Sequence, residues 1–281
     1  MDDSLKLDEF KQQIADMYSQ RSSNYDDEGD FHPAIAHRLV EYANIQTGQK
    51  VLDIATGTGL VAIEAAQLVG SNGQVVGVDI STGMLDVANI KAKAAGLDNL
   101  EFKLADAETL DFPDNSFDTI LCSSALILLT DIPKALRRWY QLLKVGGLIG
   151  FHGFAETAFI SGVILGKVAR KYGIGLNFNE ITGTQAKCSA LLADAGFSDI
   201  EVKSEQYGSY ISLERAKNIW AISLKHPLSS SLQQLSPEQL IQAKADYDAE
   251  LEALVTDKGI WDDVTIFFTF GRKGTNNQSL L

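Results

Sequence analysis

Ten residues, Val51-Leu52-Asp53-Ile54-Ala55-Thr56-Gly57-Thr58-Gly59-Leu60, constrain the fold more than any other stretch of the chain. Val51, Leu52 and Ile54 predict a buried parallel strand, with Asp53 set near its carboxyl end. The next five residues, Ala55–Gly59, are all small. Leu60, Val61, Ile63, Ala65, Ala66 and Leu68 then recur at the spacing of a helix packed on a sheet. A strand, a tight turn and a helix in that order leave backbone N–H groups facing a ligand at the carboxyl edge of a sheet. The stretch therefore predicts a nucleoside-type cofactor site.

The flanking sequence extends this unit. Leu5–Tyr18 reads as an amphipathic helix carrying Phe10, Ile14 and Met17, and Ser19–Asp30 as a polar loop. That loop is either a lid over the site, with Arg21 and Tyr25 on it, or a plain solvated connector. Pro33 suits the first turn of a helix that Thr47-Gly48 ends. Gln74–Ile80 predicts a second buried strand with Asp79 at its tip, 22 residues after Gly57, where a carboxylate accepts ribose hydroxyls. A helix over Ser81–Ala95 follows, with Met84, Leu85, Ala88 and Ile90 as its apolar positions. Leu100–Leu104 and Thr119–Ser123 predict two more strands, Ile132–Leu143 a helix, Gly146-Gly147 a turn and Leu148–Phe151 a fifth strand. Alternation of this kind predicts a doubly wound α/β sheet. Beyond His152, Phe154–Thr184 predicts an insertion over the pocket. Helices are expected at Ser189–Ala195, Leu213–Leu224 and Pro237–Val255, and strands at Ile200–Val202 and Val264–Phe270. The tail from Gly274 is expected to be disordered.

Composition narrows the partners. With 24 Lys and Arg against 37 Asp and Glu, the net charge is −13. No basic cluster is present to neutralise phosphates, so no nucleic-acid partner is expected. The start lacks the pattern of a secretory signal. The most apolar run, Phe159–Val168, falls short of the ~20 residues that cross a bilayer. Cys122 and Cys188 have no metal-ligand spacing, so no metal is expected. A cytoplasmic protein, monomer or homodimer, is the expectation, with a small molecule as its partner.

Gly57-Thr58-Gly59-Leu60-Val61-Ala62 also fits the dinucleotide pattern G-x-G-x-x-A, which leaves an NAD-dependent dehydrogenase open. Three features favour S-adenosylmethionine instead. They are Asp53 four residues before Gly57, the Asp106-Ala107 pair after the third strand, and the loop Phe112–Asp118 entering the fourth. Together, Val51–Gly59, Val76–Asp79, Ala105–Asp118 and Leu143–Gly147 resemble the class I S-adenosylmethionine-dependent methyltransferases, and within them those of ubiquinone and menaquinone biosynthesis. The likeness covers residues 18–152 well. It implies a mostly parallel seven-stranded Rossmann-like sheet with helices on both faces, an antiparallel last strand and a helical cap insertion. Three regions follow: 1–45 as N-terminal helices and lid, 46–152 as cofactor-binding core, and 153–281 as substrate cap and the rest of the sheet.

By the same resemblance, Ala55, Thr56, Gly57, Thr58 and Gly59 lie against the methionine portion of the cofactor. Asp79 holds the ribose, Ile80 and Met84 pack on the adenine, and Asp106 and Ala107 read its edge. Ser123 meets the amino group or sulfonium side, and Tyr25 or Arg21 reaches the carboxylate. The family often has glycine where Ala55 stands, which is tolerable if φ stays negative. His152 is the first candidate for a general base. His32 is expected either to touch cofactor or substrate or to cap the helix at Pro33, and Tyr18 either to position an acceptor or to pack. The run Ser124–Thr130 has no histidine and predicts an apolar substrate wall. The expected function is methyl transfer from S-adenosylmethionine to an O, N or C atom of a small, partly apolar metabolite. A non-methylating sensor or cyclase that binds the same cofactor is the alternative.

Overall fold

The computed structural model describes residues 5–27, 29–176 and 178–274. The Asp8 carboxylate caps the first helix by accepting Lys11 N–H at 2.9 Å, and α1 runs Glu9–Arg21. Helical geometry does not stop at Tyr18 as expected. It continues through Arg21 and then as a tighter 3-10 turn over Ser22–Asp27, so most of the expected loop is helical. The buried residues of α1 are Ile14 and Ala15, whereas Phe10 and Met17 are only half-buried. Helix α2, Phe31–Ala43, has Pro33 in its first turn and ends at Asn44 in the left-handed region (φ 48°), before Thr47-Gly48 is reached.

The chain then alternates as β1 (Lys50–Ile54), α3 (Leu60–Val69), β2 (Gln74–Asp79), α4 (Thr82–Ala94), β3 (Leu100–Leu104), β4 (Phe117–Cys122), α5 (Ile132–Leu142) and β5 (Leu143–Phe154). It continues through α6 (Ile160–Arg170), α7 (Gln185–Asp194), β6 (Ser198–Gln206), β7 (Ser209–Ile211), α8 (Leu213–Ser223), α9 (Pro237–Glu252), β8 (Ile260–Asp262) and β9 (Thr265–Arg272). Among the described residues, seven strands form one sheet in the order β3-β2-β1-β4-β5-β9-β6. The β3–β2, β2–β1, β1–β4 and β4–β5 pairs are parallel, and the last strand runs antiparallel, as expected.

Strand order reverses between β1 and β4, and Ile54 pairs there with both Val78 and Cys122. At such a switch point the connecting loops diverge and leave a crevice beyond the strand ends. The expected turn at Gly146-Gly147 is instead an irregularity inside β5. Phe117 pairs with Leu143 and Thr119 with Leu148, so the extra residues bulge out without breaking the strand.

Two compact units divide the chain. The first comprises the described residues of 1–152, 189–202 and 268–281. Its core packs Leu52, Ile54, Val76, Ile120, Trp139 and Phe151 among others. Ile90 is 69% exposed, against expectation, because it sits about 200° around α4 from buried Ala88. The second unit comprises residues 153–188 and 203–267. There α6, α8 and α9 pack through Leu165, Val168, Trp220, Tyr247 and Leu251. The two-stranded antiparallel ribbon of β7 and β8, not expected from sequence, belongs to this unit. The tail expected beyond Gly274 and the first four residues lie outside the described residues.

One buried contact ties the core to the strand ends. The Trp139 indole N–H donates to the Ala107 carbonyl at 2.9 Å, with the side chain fully buried. Trp139→Phe keeps an aromatic ring but strands that carbonyl, and is expected to destabilise the chain by about 1–3 kcal/mol. Urea unfolding of the variant checks this, and an unchanged midpoint refutes the coupling.

Candidate active site

Four carboxylates gather at the carboxyl edge of β1, β2 and β3, and each is held by backbone or side-chain donors. Asp53 is buried within β1, and its Oδ2 accepts from Thr56 Oγ1 at 2.5 Å. Thr56 is thereby turned inward, and the carboxylate orders the turn that follows. Asp79 accepts Gly57 N–H on Oδ2 and Ser81 N–H on Oδ1, both at 2.8 Å, with Ile80 N–H as a further backbone donor, and the carboxylate keeps acceptor capacity beyond these three. Burial raises its pKa against the pull of those donors. Asp106 accepts Glu108 N–H at 3.0 Å and Lys11 Nζ at 2.7 Å. Lys11 also pairs with Glu108, which accepts from Thr130 and Asp131 as well. Burial alone raises the Glu108 pKa, but Lys11 and the Asp131 and Thr130 donors outweigh it and hold it below the usual range.

Between these groups lies an open cleft. Its apolar walls come from Ile14, Ala15, Val78, Ile80, Met84, Leu128 and Leu129, and its polar ends from Asp79, Asp106, Ser123 and Ser124. A smaller adjoining cavity is lined by Tyr25, His32, Asp53, Thr56, Thr58, Leu60 and Ser123. Of the residues expected at the site, Ala55, Gly57, Tyr25 and Ser123 border both cavities. Asp79, Ile80, Met84, Asp106, Ala107 and Tyr18 border the larger one. Gly59 borders neither. A Cβ there would stand 3.1 Å from Phe102 and 3.3 Å from Ala88, so this glycine serves helix packing.

The N-terminal segment is fastened along the cleft. Lys11, Ile14, Ala15 and Tyr18 all line it, at the i, i+3, i+4, i+7 spacing of one helix face. Lys11, absent from the expected site, was legible in that spacing. Ser19 Oγ meets Ser81 Oγ at 2.8 Å, and Gly83 lies so close that a Cβ there would stand 2.9 Å from Ser19 Cα. Farther on, Asp26 accepts from Thr58 Oγ1 and Lys91 Nζ, both at 2.6 Å. Thr58 thus points at this segment. Arg21 lies over the rings of Tyr18 and Tyr25 and borders neither cavity, while Tyr25 stacks on His32 with centroids 5.1 Å apart.

Two cleft residues have left-handed backbone without being glycine. Ala55 has φ 52°, so the condition of a negative φ is not met there, and Ser124 has φ 57°. Such a conformation costs an L-residue roughly 1–2 kcal/mol. Ala55 follows β1 directly, and the turn it opens is held by Asp53 and Asp79. His32 is the second residue of α2 and does not cap it, since Asp30 holds that position. His152 lies buried in β5, borders neither cavity, and accepts Ser124 N–H on Nε2 at 2.7 Å. Burial, with a smaller contribution from nearby His32, pushes its pKa down to about 3. An imidazole so weakly basic, with that nitrogen already occupied, is poorly suited to the base role expected for it. His37 is exposed and bonded to Glu64, His226 accepts Leu228 N–H, and neither borders the two cavities. Both cysteines are buried free thiols, and among the described residues no group of His, Cys, Asp and Glu could hold a metal.

The sheet order and the cleft at its switch point are those of a class I S-adenosylmethionine-dependent methyltransferase. Residues 6–213 match the ubiE/COQ5 methyltransferase family. Over 231 residues the chain is 32% identical to the ubiquinone/menaquinone biosynthesis C-methyltransferase UbiE of Cronobacter sakazakii, covering 73% of this chain and 92% of that protein. Over 143 residues it is 41% identical to the aklanonic acid methyltransferase DauC of Streptomyces sp. strain C5, covering 50% and 65%. The structure of phosphoethanolamine N-methyltransferase 2 from Haemonchus contortus, in complex with S-adenosyl-L-methionine, shares the fold. Its TM-score is 0.57 at 21% identity, covering 96% of this chain and 61% of that one. The chain belongs to the ubiE/COQ5 methyltransferase family, and its cofactor is S-adenosylmethionine. The dinucleotide reading of Gly57–Ala62 is thereby set aside.

The residues present fit that cofactor. Asp79 and Asp106 retain acceptor lone pairs at two strand tips, apolar walls lie between them, and open space surrounds the position where Gly57 lacks a Cβ.

Burial lifts the Asp53 pKa to about 7, with the charge of Asp79 adding to it. The folded chain therefore holds this proton more tightly than the unfolded one. Stability contributed by the protonated form is full below about pH 4 and is lost as pH rises to about 7. Asp53→Asn has no proton to lose, so its stability relative to the parent is expected to rise across that window by a few kcal/mol, then level off. Urea unfolding at pH 4 to 8 measures the difference, and a flat difference rejects the shift.

Proposed function

We propose that the chain transfers the methyl group of S-adenosylmethionine to an O, N or C atom of a small, partly apolar metabolite. The cleft carries this reading: the carboxylates of Asp79 and Asp106 sit at strand tips, and the wall running to Ser123 and Ser124 is otherwise apolar, with Leu128 and Leu129 in it. The relatives add support, since one is named for C-methylation in quinone biosynthesis and another for aklanonic acid. When bound, the cofactor supplies a methyl group on an already activated sulfonium. The protein's task is then mainly to hold the acceptor atom in line and exclude water.

Residue roles follow from position. Asp79 would accept the ribose hydroxyls, Ile80 and Met84 pack on the adenine, and Asp106 with the Ala107 N–H read its edge. Ala55, Thr56 and Gly57 border the methionine portion, with Thr58 holding the lid segment behind them. Ser123 lies at the sulfonium side, and Tyr25 is better placed than Arg21 to reach the cofactor's carboxylate. Tyr18 and His32, which line the two cavities, remain the residues available to orient an acceptor or take its proton. Among the described residues, no helix is long and apolar enough to cross a membrane. A cytoplasmic setting, a single small-molecule partner without nucleic acid, and a monomeric or dimeric state complete the proposal.

Two measurements test it. Asp79→Ala is expected to weaken S-adenosylhomocysteine binding by roughly 1.5–3 kcal/mol, the value of a charge-assisted hydrogen bond. Calorimetry reads this directly, and unchanged affinity rejects the ribose role. Incubation of the chain with methyl-labelled cofactor and metabolite extracts is expected to label an apolar product. Cofactor left unconsumed across extracts rich in candidate acceptors would point to a binder that does not methylate.

A further inference from the structure

His152 is a buried histidine that the reaction does not need as a base, yet its contact reaches the cleft wall. Strands β4 and β5 run parallel with Cys122 paired to Phe151, so the next residues, Ser123 and His152, leave that pair side by side. Ser124 then turns into the left-handed region at φ 57°. Its N–H donates to His152 Nε2 at 2.7 Å, and its Oγ stands 3.0 Å from the same nitrogen. Because Nε2 accepts, the neutral ring carries its proton on Nδ1. The ring is 2% exposed, with Phe268 centred 5.9 Å away. Ser123, Ser124 and Ala125 all border the larger cavity.

We propose that His152 is a positioning residue: it holds Ser124 in its left-handed turn and so fixes the Ser123–Ala125 wall of the cofactor cleft. The burial that makes the ring a poor base suits this role, since a protonated Nε2 would face the Ser124 N–H donor to donor. Ser124 needs such a clamp because serine, unlike glycine, does not adopt this conformation freely. The inference rests on the assignment of the cleft to the cofactor.

Calorimetry with S-adenosylhomocysteine on the full chain at pH 7.5 provides the test, using four variants: H152F, H152Q, S124G and the double variant H152F/S124G. H152F removes the acceptor while keeping ring bulk, and is expected to weaken binding at least tenfold. H152Q restores an acceptor at the reach of Nε2 and is expected to return to within about threefold of the parent. In H152F/S124G, glycine adopts the turn unaided, so binding is expected to be several-fold tighter than in H152F alone, a non-additivity that a merely structural loss does not produce. Equal weakness of H152Q and H152F, or no recovery in the double variant, overturns the proposal. If H152F does not fold, nitrogen NMR of the parent decides: an unprotonated Nε2 and a protonated Nδ1 are expected, and the reverse tautomer overturns it. Failure of the cofactor assignment is distinct, because the parent itself would then show no binding heat.

Discussion

One carboxylate joins the turns on which the site depends. By accepting both Gly57 N–H and Ser81 N–H, Asp79 ties the turn after β1 to the start of α4 across neighbouring strands. Ser81 is the N-cap of α4, where backbone donors have no partner within the helix itself, and Gly57 lies two residues before the N-cap of α3. A carboxylate that satisfies both amides stiffens the floor of the cleft. It does so at a position whose burial alone disfavours the charge.

Asp53 does related work one strand over, through Thr56, and Glu108 does it at the third strand through Thr130 and Asp131. The edge of the sheet is thus built as a row of acidic side chains, each holding part of a loop in place. Ala55 and Ser124 show the cost: both are L-residues in a conformation that they adopt only because their surroundings over-determine it. Strain at the carboxyl ends of β1 and β4, on either side of the switch point, lies at the border of the cleft.

Much of this was legible in the sequence. The apolar run Val51–Ile54 and the small-residue turn fixed a central strand and a cleft beside it, because few other structures use that pattern. Asp79 and Asp106 were found from their places at strand tips. What the sequence does not report depends on contacts between distant residues. Ser19 and Asp26 read as loop-formers by composition, but partners on Ser81, Thr58 and Lys91 hold that segment in helical turns. His152 looked like a base from its position after a strand, and only its depth and its bond to Ser124 reveal another role. The sign of φ at Ala55 is likewise set by the closure of the turn, which a residue type alone does not report. Lys11 was within reach, since its spacing to Ile14, Ala15 and Tyr18 marks one helix face, but a lysine on an otherwise apolar face reads as solvated until the two carboxylates beneath it are known.

Gly83 shows what that arrangement excludes. A glycine in the first turn of α4 costs about 1 kcal/mol of helix propensity relative to alanine, and nothing in its own backbone calls for it. Its reason lies on the other helix: Ser19 Cα and its carbonyl oxygen each sit 2.9 Å from where a Cβ would be. The missing side chain acts as a seat that sets how deeply α1 lies. Even the smallest substituent there would shim the helix outward, and with it Ile14 and Ala15, which line the cleft. The depth of the cleft is therefore written in part at a residue that does not line it.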